Sequence, residues 1–262
     1  MFQKIRFYIN FWLNGISKYN IHSPMVHEFI ENVLDNNIKY YAFLGIEHYR
    51  QILLKDSTVL NLKDLGQGSK AIKSKLITLK SLTKNVQSTP KKAQVLFKLV
   101  NYFQCKNILE LGTSLGITTA YLSSANKKAS ITTIEGDSTI FNMAKSNFKK
   151  LGLKNVNIIN SSFDKILPTI LKNKFDLIFF DGNHSKKATL KYFNWALENL
   201  NDEIIFVFDD IYWSKGMKSA WNEISKSSKV KLSLDLFSLG IVFFKNNRQK
   251  EHINLIHPCN LY

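Results

Sequence analysis

Short apolar runs alternate with helix-length amphipathic segments from residue 106 onward. Within the longer segments, apolar residues recur every three or four positions, which indicates helices with one buried face. A strand followed by a helix and another strand forms a right-handed crossover, so the alternation predicts a parallel sheet with helices on both faces. The predicted strands are residues 107–111, 130–135, 156–160, 175–181 and 204–209, and the predicted helices are residues 116–124, 138–151, 185–199 and 214–225.

The last apolar segments of the chain, residues 229–237 and 241–244, flank Ser238, Leu239 and Gly240. A glycine-containing turn between two such runs predicts an antiparallel pair that closes the sheet. The expected fold is therefore α/β: a Rossmann-like, seven-stranded and mostly parallel sheet with helices on both faces, whose last strand is antiparallel.

The front of the chain has a helical pattern, and it predicts a first domain at residues 1–105 and a second at residues 106–262. Residues 1–20 have an amphipathic pattern that favours a helix packed against the rest of the protein, with docking on a membrane surface as the alternative. Ser23 and Pro24 are typical of a helix start. Another helix is predicted over residues 42–54, and a lysine-rich connection over residues 69–92.

Composition restricts the class of protein. The chain has 262 residues, of which 45% are hydrophobic and 21% are charged, a balance typical of a folded protein. No apolar run approaches the roughly 20 residues needed to span a bilayer. The two cysteines, Cys105 and Cys259, have no metal-binding or redox spacing, so neither a zinc finger nor a disulfide framework is expected. This cysteine usage predicts a cytoplasmic protein.

The formal net charge of +16 suggests nucleic acid or an anionic membrane as a partner. However, only Arg6, Arg50 and Arg248 are arginines, and the lysines are spread along the whole chain. Proteins that recognise phosphates and guanine edges favour the planar arginine side chain. Solvated lysine-rich faces are therefore the preferred interpretation, and no nucleic-acid partner is expected.

A glycine-containing turn follows the first predicted strand of the second domain: Glu110, Leu111, Gly112, Thr113, Ser114, Leu115 and Gly116. Glycines let the backbone approach a ligand, and the next helix begins there with free N–H groups. The second strand ends at Glu135, 23 residues after Gly112. A carboxylate at that position can accept hydrogen bonds from ribose hydroxyls, so the pattern predicts a cofactor that contains a nucleoside.

The glycine spacing separates two classes of cofactor. Dinucleotide-binding folds use G-x-G-x-x-G, in which the second glycine makes room for a pyrophosphate. This loop is instead G-x-x-x-G with Glu110 two residues before Gly112, and it resembles motif I of class I S-adenosylmethionine-dependent methyltransferases. The resemblance implies that Glu110 and the amides of Thr113, Ser114 and Gly116 face the methionine moiety and that Glu135 binds the ribose.

Two further segments bear on the cofactor. The family usually has Gly and then Asp or Asn after the third strand, where this chain has Ser161, Ser162 and Phe163. We expect Ser162 to hydrogen-bond to the adenine and Phe163 to pack on it. A second glycine-rich stretch, residues 64–69, is not followed by another acid until Glu110, so a turn or lid-like loop is expected there.

Carboxylates also end the fourth and fifth predicted strands: Asp181, followed by His184, and then the pair Asp209 and Asp210. Three adjacent carboxylates repel one another unless they are solvated, protonated or bridged by a cation, and Mg²⁺ prefers such oxygen ligands. The spacing resembles metal-dependent O-methyltransferases, which implies that Asp181, Asp209 and Asp210 hold Mg²⁺ and that His184 is the general base. In the alternative, Asp181 contacts the cofactor and the later pair caps a helix.

These observations predict an enzyme that transfers a methyl group from S-adenosylmethionine to an oxygen of a small molecule or sugar. One competing hypothesis is an NAD(P)-dependent oxidoreductase, which the glycine spacing and the lack of a Tyr-x-x-x-Lys pair disfavour. Another is a basic module that associates with nucleic acid or a membrane and retains a vestigial cofactor fold. In the resembling family a helical N-terminal extension often covers the acceptor or mediates dimerisation, so a homodimer is an open expectation.

Overall fold

The computed structural model describes residues 2–62, 76–86, 88–200, 203–245 and 249–257. The helices in this part of the chain are α1 (Phe2–Leu13), α2 (Pro24–Phe29), α3 (Tyr41–Lys55), α4 (Leu79–Val86), α5 (Pro90–Tyr102), α6 (Ile117–Ala125), α7 (Ser138–Lys150), α8 (Phe163–Ile170), α9 (Lys186–Leu197) and α10 (Lys215–Lys226). The strands are β1 (Ile16–Ser17), β2 (Val59–Asn61), β3 (Leu76–Thr78), β4 (Asn107–Leu111), β5 (Ser130–Glu135), β6 (Val156–Asn160), β7 (Leu177–Phe180), β8 (Ile205–Asp209), β9 (Leu232–Asp235), β10 (Leu239–Phe243) and β11 (Glu251–Ile256).

The chain divides into two compact units. The first contains Met1–Asn36 and Ile170–Tyr262. Its strands follow the order β1, β11, β9, β10, β8, β7. Strands β7 and β8 are parallel, whereas β10 is antiparallel to both β8 and β9. All residues of β7 and β8 are buried, which explains their continuous apolar sequences and is typical of parallel strands covered on both faces.

Helix α1 belongs to this first unit and buries one stripe of aromatic side chains. Its Phe7 and Phe11 contact the ring of Tyr212, with ring centroids 5.8 and 6.3 Å apart. Tyr8 contacts the ring of Phe237 edge-on at 5.1 Å. The expectation that the first helix packs against the protein therefore holds for this face of α1.

Polar contacts join the two ends of the chain within the same unit. Strand β1 pairs in parallel with β11. Asp35 accepts a bond from Lys18 Nζ at 2.7 Å, and its other oxygen lies 2.7 Å from Nε2 of the buried His257. The hydrogen bond from Lys18 is the main cause of a lowered pKa for Asp35.

The second unit, Asn37–Thr169, contains the parallel strands β4, β5 and β6 in that order and an antiparallel ribbon of β2 and β3. Helix α5 packs against α6, and α3 packs against α4 and α6. Side-chain caps begin two of the helices: Thr89 accepts from Lys92 N at α5, and Asp137 accepts from Thr139 N and Ile140 N at α7. These bonds satisfy N–H groups that the first turn of a helix leaves unpaired.

The main strands and helices predicted between residues 106 and 244 are present within one to two residues at most ends, and the Rossmann-like α/β class is confirmed. Apart from the ribbon of β2 and β3, the described residues form nine strands, where the sequence predicts seven. Six of these strands belong to the first unit and three to the second. The strands and helices that were not predicted are β1, β2, β3, β11, α4, α5 and α8. Strand β3 and helix α4 lie where a lysine-rich connection was expected. The two units draw residues from both sides of the predicted boundary after residue 105, so that boundary stays a prediction. No helix in the described ranges is long and apolar enough to cross a membrane.

Candidate active site

The loop after β4 has an unusual backbone. Three of its five residues have positive φ angles: Gly112 at 107°, Ser114 at 49° and Gly116 at 82°. The amides of Gly112 and Thr113 both donate to the carbonyl of Ile134 on β5, at 3.1 and 3.3 Å. The sequence has glycine at two of the three left-handed positions because a Cβ atom is strained there.

Ser114 holds the remaining left-handed position with help from Glu135. The backbone amide of Ser114 donates to Glu135 Oε2 at 2.9 Å, and the amide of Asp137 donates to Oε1 at 3.0 Å. The carboxylate at the end of β5 is therefore tied directly to the glycine loop. Burial is the main cause that raises the pKa of Glu135 to about 7, although these amides lower it.

Glu110 is completely buried on β4. Its Oε2 accepts hydrogen bonds from the hydroxyls of Thr119, at 2.5 Å, and Thr133, at 2.6 Å. Its Oε1 is buried and has no partner among the described residues. Burial raises the pKa of Glu110 to about 7, and the charge of Glu135 contributes in the same direction.

The unpartnered oxygen of Glu110 tests whether this unit fits the predicted cofactor. A buried acceptor without a partner is costly in a folded protein and calls for a donor. The methionine moiety of S-adenosylmethionine carries an ammonium group, which is a donor of suitable charge. Thr113, whose hydroxyl lies 2.6 Å from that of Thr133, belongs to the same network. The donors and acceptors of the loop therefore fit the cofactor.

Asn147 and Tyr49 support the glycine loop and were missed in the sequence. The buried Asn147 donates from Nδ2 to the carbonyl of Leu115 at 2.8 Å, and its Oδ1 accepts from the hydroxyl of Tyr49 at 2.8 Å. The ring of Phe148 fills the space that a Cβ at Gly116 would need. An asparagine on the buried face of an amphipathic helix was the available signal, since buried polar side chains need partners.

Ser162 and Phe163 lie where β6 passes into α8. The carbonyl of Ser162 accepts from the amides of Lys165 and Ile166, so Ser162 precedes the first turn of the helix. Its side chain is exposed, and Phe163 is half-buried. Their predicted contacts with adenine are not tested and stay a prediction. The glycine-rich stretch at residues 64–69 lies outside the described residues.

In the other unit, the turn after β7 brings Asp181 and His184 together. Nε2 of His184 lies 3.7 Å from Oδ1 of Asp181, and each side chain is less than a fifth exposed. Asn183 in this turn has a φ of 51°, and Ser185 begins α9 by accepting from the amide of Ala188. The spacing of three residues thus pairs an imidazole with a carboxylate at a turn between a strand and a helix.

The structure does not group the three predicted metal ligands, Asp181, Asp209 and Asp210. Within the described ranges, no three His, Cys, Asp or Glu side chains are placed so that they could hold a metal ion. Asp209 is buried as the last residue of β8, and Asp210 follows it in a left-handed turn with a φ of 51°. Magnesium binding by this set stays a prediction.

Tyr212, which follows the carboxylate pair after β8, is a buried core residue. Its hydroxyl donates to Asp235 Oδ2 at 2.9 Å, and Trp221 Nε1 donates to the same oxygen at 2.8 Å. The amide of Phe237 donates to Asp235 Oδ1 at 2.8 Å. Burial raises the pKa of Asp235 to about 6. This carboxylate thus organises the aromatic core of the first unit.

Comparison with known sequences finds a match for the central segment. Residues 109–211 match a family model described as a methyltransferase domain. A catechol O-methyltransferase from Niastella koreensis is 31% identical over 131 residues, which are 48% of this chain and 58% of that protein. The alignment therefore spans little more than half of the relative's length.

Comparison with solved structures confirms the fold. A methyltransferase from Podospora anserina, solved with S-adenosylhomocysteine, has a TM-score of 0.59 at 17% identity, over 86% of this chain and 97% of that one. An O-methyltransferase from Bacillus cereus, also solved with S-adenosylhomocysteine, has a TM-score of 0.55 at 18% identity, over 84% and 97%. The O-methyltransferase TomG from Streptomyces achromogenes, solved with S-adenosylmethionine, has a TM-score of 0.54 at 21% identity, over 62% and 83%.

Proposed function

We propose that this chain, which contains a methyltransferase domain and has the fold of class I S-adenosylmethionine-dependent methyltransferases, methylates a hydroxyl group of a small molecule. The observation that carries the proposal is the loop Gly112–Gly116, held by the carboxylate of Glu135 through the amide of Ser114. Its G-x-x-x-G spacing and the acid before it agree with the match to the methyltransferase domain.

Residues of the second unit would hold the cofactor. We assign the ammonium group of the methionine moiety to Oε1 of Glu110, which has no partner in the part of the chain that the structure describes, and the ribose hydroxyls to Glu135. The amides of Thr113, Ser114 and Gly116 line the same loop, while Ser162 and Phe163 are the candidates for adenine contacts. Asp181 stays a further candidate for the cofactor, as the sequence suggested.

When bound, S-adenosylmethionine supplies an electrophilic methyl group on a sulfonium. A hydroxyl oxygen attacks the methyl carbon, the carbon–sulfur bond breaks, and its electron pair stays on sulfur. The hydroxyl proton must be removed because a neutral alcohol is a weak nucleophile. We propose that His184 accepts that proton.

The pairing of His184 with Asp181 indicates how the base would work. Nε2 of His184 faces the carboxylate of Asp181, so Nδ1 is the nitrogen that takes the proton. The carboxylate then orients the ring and stabilises the imidazolium that forms, as in other base–carboxylate pairs. No step of this scheme passes through a metal ion, because the carboxylates predicted to hold one are not grouped.

The acceptor is proposed as a small molecule with a hydroxyl group, since the curated relative is named a catechol O-methyltransferase. A sugar hydroxyl has the same chemistry and is included in that class. A cytoplasmic location and a homodimer stay predictions, which cell fractionation and light scattering after gel filtration would check.

Isothermal titration calorimetry with S-adenosylhomocysteine tests the cofactor half of the proposal. We expect binding by the wild-type protein and none by Gly112→Arg, because the side chain would fill the loop where φ is 107°. Gly152→Ala is the matched control, since Gly152 also has a positive φ, of 66°, but has open space around it. Wild-type protein that fails to bind S-adenosylhomocysteine would overturn the proposed function.

A screen of hydroxyl-bearing acceptors, with Mg²⁺ and with a chelator, tests the acceptor half. We expect methyl transfer to at least one small-molecule hydroxyl and a large loss of turnover in His184→Gln. Turnover that persists in His184→Gln would contradict the assignment of the base while leaving cofactor binding intact.

A further inference from the structure

Helix α1 exposes a second apolar face, opposite to the one it buries. Ile5, Ile9, Trp12 and Leu13 are 47%, 53%, 54% and 69% exposed. At 100° per residue these four side chains lie within one stripe of about 100° on the helix surface. We call this stripe the outer face of α1. A surface helix of a soluble protein normally has one apolar stripe and a polar opposite side, so the outer face calls for a second partner.

A basic cavity lies beside the outer face. It has a volume of about 620 Å³ and is lined by Gln3, Arg6, Phe7 and Asn10 of α1 and by Lys215 and Lys218 of α10. The polar side chains from α1 form the stripe between its outer and buried faces. Three cations therefore border a helix that exposes apolar residues.

Few acids lie on the elements that form this region, although the charge of Lys218 acts on the buried Asp235 and opposes the rise of its pKa. The first 27 residues contain no Asp or Glu. The acid of α10, Glu223, forms an ion pair with Lys186. Lys218 Nζ lies 4.7 Å from the ring centroid of Phe7, which keeps its charge at the rim of the aromatic cluster. The cavity thus retains a positive charge that suits a phosphate-bearing anion.

We propose that α1 docks the protein on a membrane surface that contains anionic phospholipids. The outer face enters the boundary between headgroups and acyl chains, and the basic cavity of Arg6, Lys215 and Lys218 receives a phosphate headgroup. Apolar residues with Trp on one side and cations on the flank are the pattern of helices that lie in the plane of a membrane.

Charge favours a membrane over a second copy of this chain as the occupant. In a symmetric dimer the same surface meets itself, so the basic cavities of both copies would lie near the shared interface. Like charges placed together oppose association, whereas an anionic bilayer buries the outer face and neutralises the cations in one step.

Co-sedimentation of the full chain with vesicles tests the proposal. We expect binding to phosphatidylcholine vesicles that contain about 30% phosphatidylglycerol, weak binding to phosphatidylcholine alone, and release as NaCl rises from about 0.1 to about 0.5 M. Equal binding to both vesicles, or binding to neither, would overturn the proposal.

Two pairs of variants locate the surface. Ile9→Glu should lower vesicle binding about tenfold, because a charge replaces a side chain that must enter the membrane. Ile52→Glu, at a 47% exposed isoleucine of α3, should bind as the wild type does. Replacing Arg6, Lys215 and Lys218 together by Gln should remove the preference for anionic lipid. The same change at Lys127, Lys128 and Lys149, three exposed lysines elsewhere, should not.

Three readouts separate other outcomes. Circular dichroism of each variant establishes that it is folded, and S-adenosylhomocysteine binding, which does not depend on this surface, should be unchanged in Ile9→Glu. If light scattering shows a dimer that Ile9→Glu makes monomeric, and vesicles do not bind the wild type, the outer face is an interface between copies and the proposal is wrong.

Discussion

Cofactor binding should depend on pH because burial raises the pKa values of two carboxyl groups in the second unit, which we propose holds the cofactor. In the ligand-free protein the pKa of Glu110 and that of Glu135 are each about 7. The proposed contacts, an ammonium group at Glu110 and ribose hydroxyls at Glu135, both favour the ionised carboxylate. Protons therefore compete with the cofactor, and affinity rises as the pH rises through 7.

The expected size follows from linkage. A group with a free pKa of about 7 that must be ionised in the complex weakens binding about elevenfold at pH 6 and about 1.1-fold at pH 8. Each carboxyl group thus changes the dissociation constant about tenfold between these two pH values. If the two groups titrate independently, the dissociation constant changes about a hundredfold between pH 6 and pH 8. The repulsion between Glu110 and Glu135 spreads their titration over a wider pH range.

Isothermal titration calorimetry with S-adenosylhomocysteine at pH 6, 7 and 8 measures this change, and buffers of different ionisation enthalpy report the protons released. Glu110→Gln and Glu135→Gln should each reduce the change in the dissociation constant between pH 6 and pH 8 by about tenfold, because an amide does not titrate. Glu198→Gln, at an exposed acid of α9's C-terminal end, is the matched control and should keep the full dependence. An affinity that varies less than twofold over this range, or an unchanged slope in both Gln variants, would refute the reasoning.

Five other variants test the remaining parts of the structure. Asp235→Ala should lower the free energy of unfolding by about 3 kcal/mol in urea titrations, because three buried donors lose their acceptor. Gly116→Ala should cost about 2 kcal/mol or more, and Gly152→Ala only about 1 kcal/mol, since both have strained φ angles but only the first also meets a ring. Tyr49→Phe should cost about 1 kcal/mol and weaken S-adenosylhomocysteine binding several-fold, because Asn147 then loses a partner. His184→Gln should lower kcat about 10²- to 10⁴-fold and leave the affinity for S-adenosylhomocysteine unchanged. The turnover of this variant should be the same in EDTA as in Mg²⁺.

Most strands and helices after residue 106 could be predicted because their signals are local. Strand β5 has the predicted bounds, and α7 begins at the predicted residue, where Asp137 caps it. Strand β11 could not be found in this way, because it is stabilised by pairing with β9 and with β1, which is two residues long. Pairing between segments far apart in the chain leaves a weak periodic pattern in each of them.

In the candidate site too, features with a local sequence signal could be predicted, and features that depend on distant contacts could not. The glycine loop and Glu135 could be predicted as neighbours because both leave local signals, a glycine-containing turn after one strand and an acid at the end of the next. The support of that loop was not predicted, since it requires Tyr49 to meet Asn147, 98 positions later in the chain. A polar residue on a buried helix face indicates that it has a hydrogen-bond partner, but only the contact between α3 and α7 shows which residue that partner is.

The three predicted metal ligands are not grouped among the described residues, and sequence spacing alone does not reveal this. Asp209 and Asp210 are neighbours in the sequence, which suggests shared ligation, yet Asp209 is the buried last residue of β8 whereas Asp210 lies in the left-handed turn that follows. The turn that gives Asp210 a left-handed φ also connects its amide to the carbonyl of Ser238. Asp181 and His184, three residues apart across a turn, meet instead. The backbone turn after each strand therefore decides which polar side chains come close together, and after β7 it places an imidazole beside a carboxylate.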